Sequence, residues 1–301
     1  MSHLSAVLLV LLAGTMWAAS GTAAQHFYTQ SAHIPIELTQ VRLFLSSALF
    51  FLLAYWSGGL RRGIRSLRRD PRLLIQLAIH GILGIMIVQF SYFMGIAEGD
   101  AAATTVIGYT SPAMMILYLA VRYRRLPSAA ETGTVVAAVA GVFLLVTGGD
   151  IGRLSVPMSC VIWSLISGVT FVFAMIYPVR LLRLFDRFFL LAVCMLIGGI
   201  SLLPVTQVIF DVGSFFTAQT WLDLLIIIGL GTIVAFFAFN VGLRWLSPEE
   251  TAITATIEPV ASVIFAWLIF DTHFVTMQVV GIVLVIAAIL TPNVLRKCGA
   301  A

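Results

Sequence analysis

The chain has 301 residues, of which 60% are hydrophobic and only 10% are charged, and its mean hydropathy is +1.06. Soluble domains carry about one-quarter charged residues, so this composition excludes a soluble protein whose core is covered by a polar shell. The formal net charge of +4 would suit nucleic-acid binding, but the positions of the basic residues indicate membrane topology instead, as shown below.

Apolar segments follow one another along the whole chain and are divided by Pro, Gly or clusters of charge. A helix needs about 20 apolar residues to cross a bilayer, so each segment is predicted to be a transmembrane helix. The ten predicted helices cover residues 5–27, 36–56, 73–96, 102–121, 130–148, 155–178, 188–208, 221–243, 251–270 and 275–294. We therefore predict an all-α integral membrane protein whose surroundings are the lipid bilayer.

The Lys and Arg residues predict the orientation of these helices. With the N-terminus in the cytoplasm, nearly all of the 17 basic residues fall in cytoplasmic loops or in the C-terminal tail. Arg153 then lies outside and Arg42 lies within a span. Cytoplasmic loops of membrane proteins are enriched in basic residues in this way. We therefore expect a multi-pass protein of the cell inner membrane with both termini cytoplasmic, and no nucleic-acid partner.

An internal repeat emerges when the chain is shifted by 147 residues against itself. The shift places Ser20-Gly21 on Ser167-Gly168, Gly84 on Gly231, Phe90 on Phe237, Gly95 on Gly242, Thr104 on Thr251 and Pro112 on Pro259. We predict two five-helix repeats, residues 1–149 and 150–301. An odd number of spans forces the second repeat to be inverted in the membrane. Inverted repeats of this kind are typical of secondary transporters, in which a site between the repeats opens to either side.

Several motifs recur at characteristic places in this pattern. They are Trp17 followed by Ser20-Gly21, Arg42 early in the second span, the stretch 89–96, Thr110-Ser111-Pro112, Trp163, and Ile257-Glu258-Pro259-Val260. In this order and spacing they resemble the EamA-type family of the drug/metabolite transporter superfamily, over essentially the whole chain. The resemblance implies a ten-helix fold, alternating access, a central cavity, and export of amino acids, aromatic ones among them, or of other metabolites.

Two charged residues within spans are candidates for coupling or gating. Glu258 lies well inside the ninth span, where a charged carboxylate costs at least about 2.5 kcal/mol unless it meets a partner or water. It is interpreted either as a proton or substrate-amine site, or as a packing carboxylate that bonds to backbone freed by Pro259. Arg42 points either inward at a substrate carboxylate or outward to the membrane surface.

Further residues are candidates for the cavity wall. His80 either binds substrate or relays protons, or it is a neutral hydrogen-bonded histidine between helices. The others are aromatic or carry an amide, and could grip a planar or cationic solute or simply pack in the core: Trp17, Tyr92, Tyr109, Trp163, Phe239 and Asn240. Pro112 and Pro259 are predicted helix breaks. No second histidine stands at metal spacing, so neither a metal nor a cofactor is expected.

The sequence leaves several functions open. The leading hypothesis is a secondary active exporter of amino acids or related small metabolites. The alternatives are an uptake carrier for a metabolite or a cationic or quaternary amine, a channel or facilitator, and a membrane-embedded enzyme. A channel needs a continuous polar lining that the spans do not supply, and no nucleophile–base constellation or GxxxxGK[ST] motif indicates an enzyme or an ATP-driven pump. A stripe of Gly133, Ala137 and Gly141 allows close packing within a monomer or in a homodimer.

Overall fold

The computed structural model describes residues 2–150, 152–206, 208–218, 220–242, 245–246 and 248–297. Within these residues the regular structure is entirely helical and contains no strand, which confirms the predicted all-α class. The first helices are α1 His3–Gln30, α2 Pro35–Trp56, α3 Gly59–Arg69, α4 Arg72–Glu98, α5 Ala101–Arg122 and α6 Ala129–Thr147. The later helices are α7 Met158–Leu184, α8 Arg187–Ser201, α9 from Trp221 to Gly242, α10 from Pro248 to Phe270, and α11 Thr276–Lys297.

Seven of the described helices are long and apolar enough to cross a membrane, and three shorter apolar helices accompany them. The seven are α1, α2, α4, α5, α6, α7 and the stretch Trp221–Phe239 of α9, and the three are α8, Ile257–Phe270 of α10 and Thr276–Ala288 of α11. Large apolar side chains such as Val121, Val139 and Trp267 are exposed on the outer faces of the bundle. An exposed apolar surface of this extent fits a bilayer environment.

Two of the predicted spans are interrupted, each close to one of the two predicted helix breaks, Pro112 and Pro259. In α5, the segment Ala101–Gly108 ends before Tyr109, and a new segment begins at Ser111. In α10, Pro248–Ala255 and Ile257–Phe270 are separated at Thr256. Pro112 and Pro259 each lie in the first turn of the second segment, where a missing N–H and a fixed φ disturb the preceding turn.

Two other helices contain π-helical turns. These turns lie at His80–Met86 within α4 and at Leu225–Val234 within α9, and each includes one of the matched glycines, Gly84 and Gly231. A π-helix widens the turn by one residue and leaves backbone groups in unusual positions, and it is frequent at functional sites. The sequence did not predict these turns, because apolar runs containing glycine also occur in regular α-helices.

The two longest loops of the predicted topology differ in structure. The basic segment after α2 folds into the short amphipathic helix α3, which the sequence did not predict. A Cβ at Gly63 of α3 would overlap the ring of Phe189, so the helix lies directly against α8. The segment after α8 instead forms the 3₁₀-helical stretch Val208–Phe215.

Aromatic rings from the end of α1, from the segment after it and from the stretch after α8 pack together. Phe215 stacks on His33 with ring centroids 3.8 Å apart and on Phe27 at 5.6 Å. His26 of α1 pairs with the buried Asp223 of α9, with Nδ1 2.9 Å from Oδ2. These contacts join α1 to the later half of the chain at that end.

The small-residue stripe of α6 contacts α11 within the same chain. A Cβ at Gly141 would lie 2.7 Å from the carbonyl oxygen of Gly281, so two backbones meet there without side chains between them. Gly133 has nothing within 4 Å of the position of an added Cβ. At Gly141 the stripe therefore serves packing inside the monomer.

Candidate substrate-binding site

Glu258 lies in the first turn of the helical segment that begins after the break in α10. The carboxylate Oε2 accepts a hydrogen bond of 2.8 Å from the hydroxyl of Tyr109. Tyr109 itself lies at the break in α5, so the two interrupted helices meet through these side chains. Gly14 of α1 faces the same place, since a Cβ there would overlap Ile257.

The hydroxyl of Tyr109 also reaches the carbonyl oxygen of Ala255, at 3.1 Å. Ala255 precedes Pro259 by four residues, and Pro259 has no N–H with which to complete that helical hydrogen bond. Tyr109 therefore satisfies a carbonyl that the proline leaves open. The sequence assigned this task to Glu258 as one of two alternatives, and the geometry assigns it to Tyr109.

A phenol has a single proton, so Glu258 and Ala255 compete for it. While Glu258 is ionised, its carboxylate is the stronger acceptor because charge-assisted hydrogen bonds are about twice as strong as neutral ones. A protonated Glu258 would be able to donate its own O–H to the Tyr109 oxygen, which would leave the Tyr109 proton for the Ala255 carbonyl. This arrangement links the protonation of one carboxyl to the hydrogen bonding of a helix break.

Arg42 is buried inside the protein. This burial disagrees with the hypothesis from the sequence in which the side chain points outward to the membrane surface. Its Nε donates to Thr232 Oγ1 at 3.1 Å, and its guanidinium lies over the ring of Phe93, 5.2 Å from the centroid. Thr232 belongs to the π-helical turn of α9 and donates in turn to the carbonyl of Ile227 at 3.1 Å. A threonine hydroxyl and a ring face are neutral partners, so the positive charge is not neutralised by them.

Neither charge has an ionic partner in the described part of the chain. The ion pairs found there are His3–Glu250, His26–Asp223, His33–Glu37, Arg125–Glu131 and His273–Asp271. A buried charge without a partner is costly, and the buried Arg42 presents such a charge. A buried cation and a half-buried acid, neither with an ionic partner in the described ranges, are suited to a ligand that carries the opposite charges.

Tyr92 is within electrostatic range of both Arg42 and Glu258. Its hydroxyl shares a hydrogen bond of 3.1 Å with Thr105 Oγ1. Ser262, one turn beyond Glu258, donates to the same Thr105 oxygen at 3.4 Å. A Cβ at Gly21 of α1 would overlap the Tyr92 hydroxyl, so the absence of a side chain at Gly21 makes room for it.

A model of the EamA-like transporter family matches residues 4–147 and again residues 158–293, which together cover nearly the whole chain. The chain belongs to the EamA-like transporter family. The resemblance inferred from the sequence motifs is therefore confirmed. The chain is also 25% identical over 283 residues to the uncharacterized inner membrane transporter YicL of Salmonella typhimurium, covering 93% of this chain and 92% of that protein. A solved crystal structure superposes over all of both chains with a TM-score of 0.62 at 19% identity, which is a likeness of fold.

Membership of the EamA-like family makes this chain a multi-pass membrane transporter of small metabolites. The family and the relative both indicate transport rather than enzymatic catalysis. A transporter needs a site that binds and releases a solute. The residues around Glu258, Tyr109, Tyr92 and Arg42 lie where segments from both matched regions of the EamA-like chain meet.

The other residues singled out from the sequence lie in less polar surroundings. Trp17 packs against Phe239 and Phe236, with ring centroids 5.1 and 5.6 Å away. Trp163 meets Phe90 edge-on at 5.5 Å. The side chain of Asn240 lies outside the part of the chain that the structure describes. That these residues line the cavity stays a prediction.

His80 lies apart from the charged group, in the π-helical turn of α4. Its ring stacks on Tyr177 with centroids 6.2 Å apart, and its buried Nδ1 has no hydrogen-bond partner among the described residues. A Cβ at Gly84 would come within 2.5 Å of that nitrogen. His80 is therefore held between α4 and α7 rather than beside Glu258.

Two partners of the site were missed from the sequence. Thr232 and Phe93 hold the Arg42 guanidinium, yet a threonine and a phenylalanine in apolar spans carry no signal of that role. Asp223 was missed as well, although a carboxylate near the end of the predicted span 221–243 was a signal that could have been used. Its partner His26 comes from a helix 197 positions earlier in the chain.

Proposed function

We propose that this EamA-like protein is a secondary active transporter that exports amino acids or related zwitterionic metabolites by alternating access. The observation that carries the proposal is a pair of ionisable side chains without ionic partners among the described residues, the buried Arg42 and the half-buried Glu258, each of which interacts electrostatically with Tyr92. An amino acid carries an anionic and a cationic group on one carbon, so a single solute complements both side chains.

The substrate carboxylate would bind at Arg42. The Nε of Arg42 is committed to Thr232, and the planar guanidinium has further N–H donors suited to carboxylate oxygens. Binding there would replace water around the carboxylate with charge-assisted hydrogen bonds. Such bonds contribute about 1.5–3 kcal/mol each, which supports selection of solutes with a carboxylate.

The substrate ammonium would bind at Glu258, the same carboxylate that a proton occupies in the alternative state. Because the ammonium and the proton compete for one acceptor, loading of one favours release of the other. Exchange of a metabolite for a proton then follows without any further site. When Glu258 is occupied, the Tyr109 hydroxyl would bond more strongly to its other acceptor, the Ala255 carbonyl, and binding at Glu258 would thereby change the hydrogen bonding at the break in α10.

An aromatic side chain of the substrate has a natural neighbour in Trp17 and Phe239. These rings lie on α1 and α9, whose neighbouring residues approach Glu258 and Arg42 respectively. Stacked or edge-on aromatic contacts contribute about 0.5–1.5 kcal/mol beyond area burial. This supports aromatic amino acids among the substrates.

The proposed architecture is ten transmembrane helices in two inverted halves, residues 1–149 and 150–301, in the inner membrane with both termini cytoplasmic. It is supported by features that recur about 147 residues apart, namely the two π-helical turns and the two helix breaks. Basic α3 would then lie in the cytoplasm, and the end at which Phe27 and Phe215 stack would face outward.

A second candidate is uptake of a cationic or quaternary amine. The observation in its favour is that the backbone of Glu258 lies against Gly14 of α1, one turn from the indole of Trp17, since aromatic rings and an acid together bind such cations. It leaves the buried charge of Arg42 without a role. We therefore rank it below the zwitterion.

Counterflow in proteoliposomes separates the two candidates. The purified protein would be loaded with unlabelled phenylalanine and tested with labelled phenylalanine, phenethylamine and 3-phenylpropionate, which differ only in the charged groups they carry. We expect saturable counterflow of phenylalanine, well above that of either analogue. Equal counterflow of phenethylamine would favour the cationic amine, and an absence of counterflow for all three would reject an aromatic amino acid as substrate.

The direction and the coupling ion require imposed gradients. The vesicles are loaded with substrate, and a proton gradient is imposed so that protons flow into the lumen. The substrate is then expected to leave the lumen against its own concentration gradient. Collapse of the proton gradient with a protonophore should stop this movement. Movement of the substrate against its concentration gradient that continues after the protonophore is added would contradict proton exchange at Glu258.

A further inference from the structure

The short helix α3 carries a basic face that lies outside the proposed substrate site. Five of its 11 residues are arginines: Arg61, Arg62, Arg65, Arg68 and Arg69. All five are exposed. At 100° per residue, Arg61, Arg65 and Arg68 fall on one side of the helix, and the buried Gly59 and Gly63 fall on the other.

Most of these charges have no protein partner. None of the five arginines forms an ion pair with an acid within the described ranges. Arg62 differs from the others, because its Nη2 donates to the carbonyl of Ser57 at 3.2 Å and its Nε donates to that of Gly58 at 3.3 Å. Arg62 thus caps the end of α2, and the charges of Arg61, Arg65 and Arg68 remain for an outside partner.

The surroundings of α3 place it at a membrane surface. It connects α2 and α4, two helices that are apolar and long enough to span a bilayer. Just before it, Tyr55 and Trp56 are 59% and 70% exposed, and such aromatic residues are typical of the level of lipid headgroups. Ile64, which is 40% exposed, borders the arginine face. An amphipathic helix with this pattern lies in the plane of the interface.

The orientation of α3 is fixed by the later half of the chain. Gly59 and Gly63 lie so close to Asp186 and Phe189 that any side chain would collide with them. Asp186 caps α8 by accepting a 3.1 Å hydrogen bond from the backbone N–H of Phe188. The helix therefore cannot roll its arginines toward α8, and the basic face is held toward headgroups and water.

We infer that α3 is a binding surface for anionic phospholipids, with Arg61, Arg65 and Arg68 on the lipid phosphates and Ile64 against the acyl chains. Guanidinium groups bind phosphate through paired charge-assisted hydrogen bonds, and clusters of basic residues beside a membrane helix attract anionic lipid. Because α3 also packs on α8, bound lipid strengthens the contact between the two halves of the bundle at this end. The inference does not depend on the transported substrate.

The test compares two double variants of the full-length protein in detergent. Arg61→Gln with Arg68→Gln removes two charges from the α3 face, and Arg122→Gln with Arg124→Gln removes two exposed charges at another end of a spanning helix. The melting temperature of each protein is measured while phosphatidylglycerol, phosphatidylcholine or free glycerol 3-phosphate is added. Lipid adducts are counted by native mass spectrometry.

We expect phosphatidylglycerol to stabilise the unmodified protein more than phosphatidylcholine does, by mass action on the folded state. The α3 variant should bind phosphatidylglycerol about thirtyfold more weakly, while the control variant keeps its affinity within about threefold. If glycerol 3-phosphate stabilised the protein and phosphatidylglycerol did not, the proposal of a lipid ligand would be overturned in favour of a soluble phosphate. An equal loss in both variants, or no loss in the α3 variant, would also overturn the proposal.

Discussion

The two interrupted helices have the same backbone feature and different chemistry. In α5 the break carries Tyr109, followed by Pro112, and in α10 it carries Thr256, followed by Glu258 and Pro259. A helix from the opposite matched region crosses each break closely. Gly14 of α1 lies against the break in α10, and a Cβ at Gly168 of α7 would lie 3.4 Å from the Gly108 carbonyl at the break in α5.

The difference between the breaks lies in which one gives and which one receives a hydrogen bond. The break in α5 supplies the phenol of Tyr109, and the break in α10 supplies two acceptors, the Glu258 carboxylate and the Ala255 carbonyl. The two breaks therefore share their backbone geometry, while only the break in α10 carries a carboxyl group. The predictions below test that division of labour.

The largest effect is expected for Glu258→Gln, which keeps the size of the side chain and removes its charge. Transport should fall about 100-fold, since a charge-assisted bond worth about 3 kcal/mol is lost along with the exchangeable proton. The remaining activity should not respond to pH. The measurement is counterflow in proteoliposomes from pH 5.5 to 8.5, with the folded yield checked by size-exclusion chromatography.

Asp271→Asn is the matched control, because it removes one carboxylate from the far end of the same helical segment. Asp271 has a φ of 52°, which asparagine tolerates. Normal transport by the Glu258 variant over this pH range would remove the acid from the mechanism and reduce it to a packing residue.

The next effect concerns the other charge. Arg42→Gln should weaken binding of a carboxylate-bearing substrate by about thirtyfold, since one charge-assisted hydrogen bond contributes about 2 kcal/mol. Arg42→Lys should recover part of this affinity, because the charge is kept and the planar fork is lost. Binding is measured by isothermal titration calorimetry or by ligand-induced shifts in melting temperature. If affinity is kept and only the melting temperature falls, Arg42 is a structural link to Thr232.

These two residues also indicate how far sequence reasoning reached. Charges and prolines within apolar spans are rare, so Arg42, Glu258, Pro112 and Pro259 could be selected from the sequence alone. The apolar runs likewise predicted where the described helices lie, although α8 ends at Ser201 rather than near residue 208. The helical class follows from composition, because lipid leaves a backbone few alternatives.

The pairings could not be predicted in the same way. Tyr109 and Glu258 are separated by 149 positions, and Arg42 and Thr232 by 190, so only the packed bundle brings them together. Helix α3 was overlooked because a run of arginines suggested a loop. The spacing of Gly59 and Gly63 with Leu60 and Leu67 was a helical signal that could have revealed it.

A smaller effect is expected for Tyr109→Phe, which removes the hydrogen bond between the breaks and keeps the ring. The Ala255 carbonyl loses its donor, and Glu258 loses a neutral partner, so transport should slow about fivefold for a loss of about 1 kcal/mol. Its pH profile should also move. Counterflow rates across pH are compared with those of Tyr118→Phe, whose hydroxyl-bearing ring is 43% exposed on the outside of α5. Identical profiles for both variants would leave Tyr109 without a coupling role.

The smallest effect is expected for a substitution of one of the two corresponding tryptophans, Trp17 and Trp163. Trp17 and Trp163 lie at related places in α1 and α7, the helices that cross the two breaks, and each packs on one or two phenylalanines. If both line the cavity, Trp163→Ala should weaken substrate binding about threefold, in line with about 0.7 kcal/mol for an aromatic contact, with little change in melting temperature. Ile162→Ala, at an exposed neighbour on the same helix, controls for loss of side-chain volume. A lower melting temperature with unchanged affinity would instead make the Trp163–Phe90 contact part of the packing, and substrate recognition would then rest on the side of the bundle that holds Glu258.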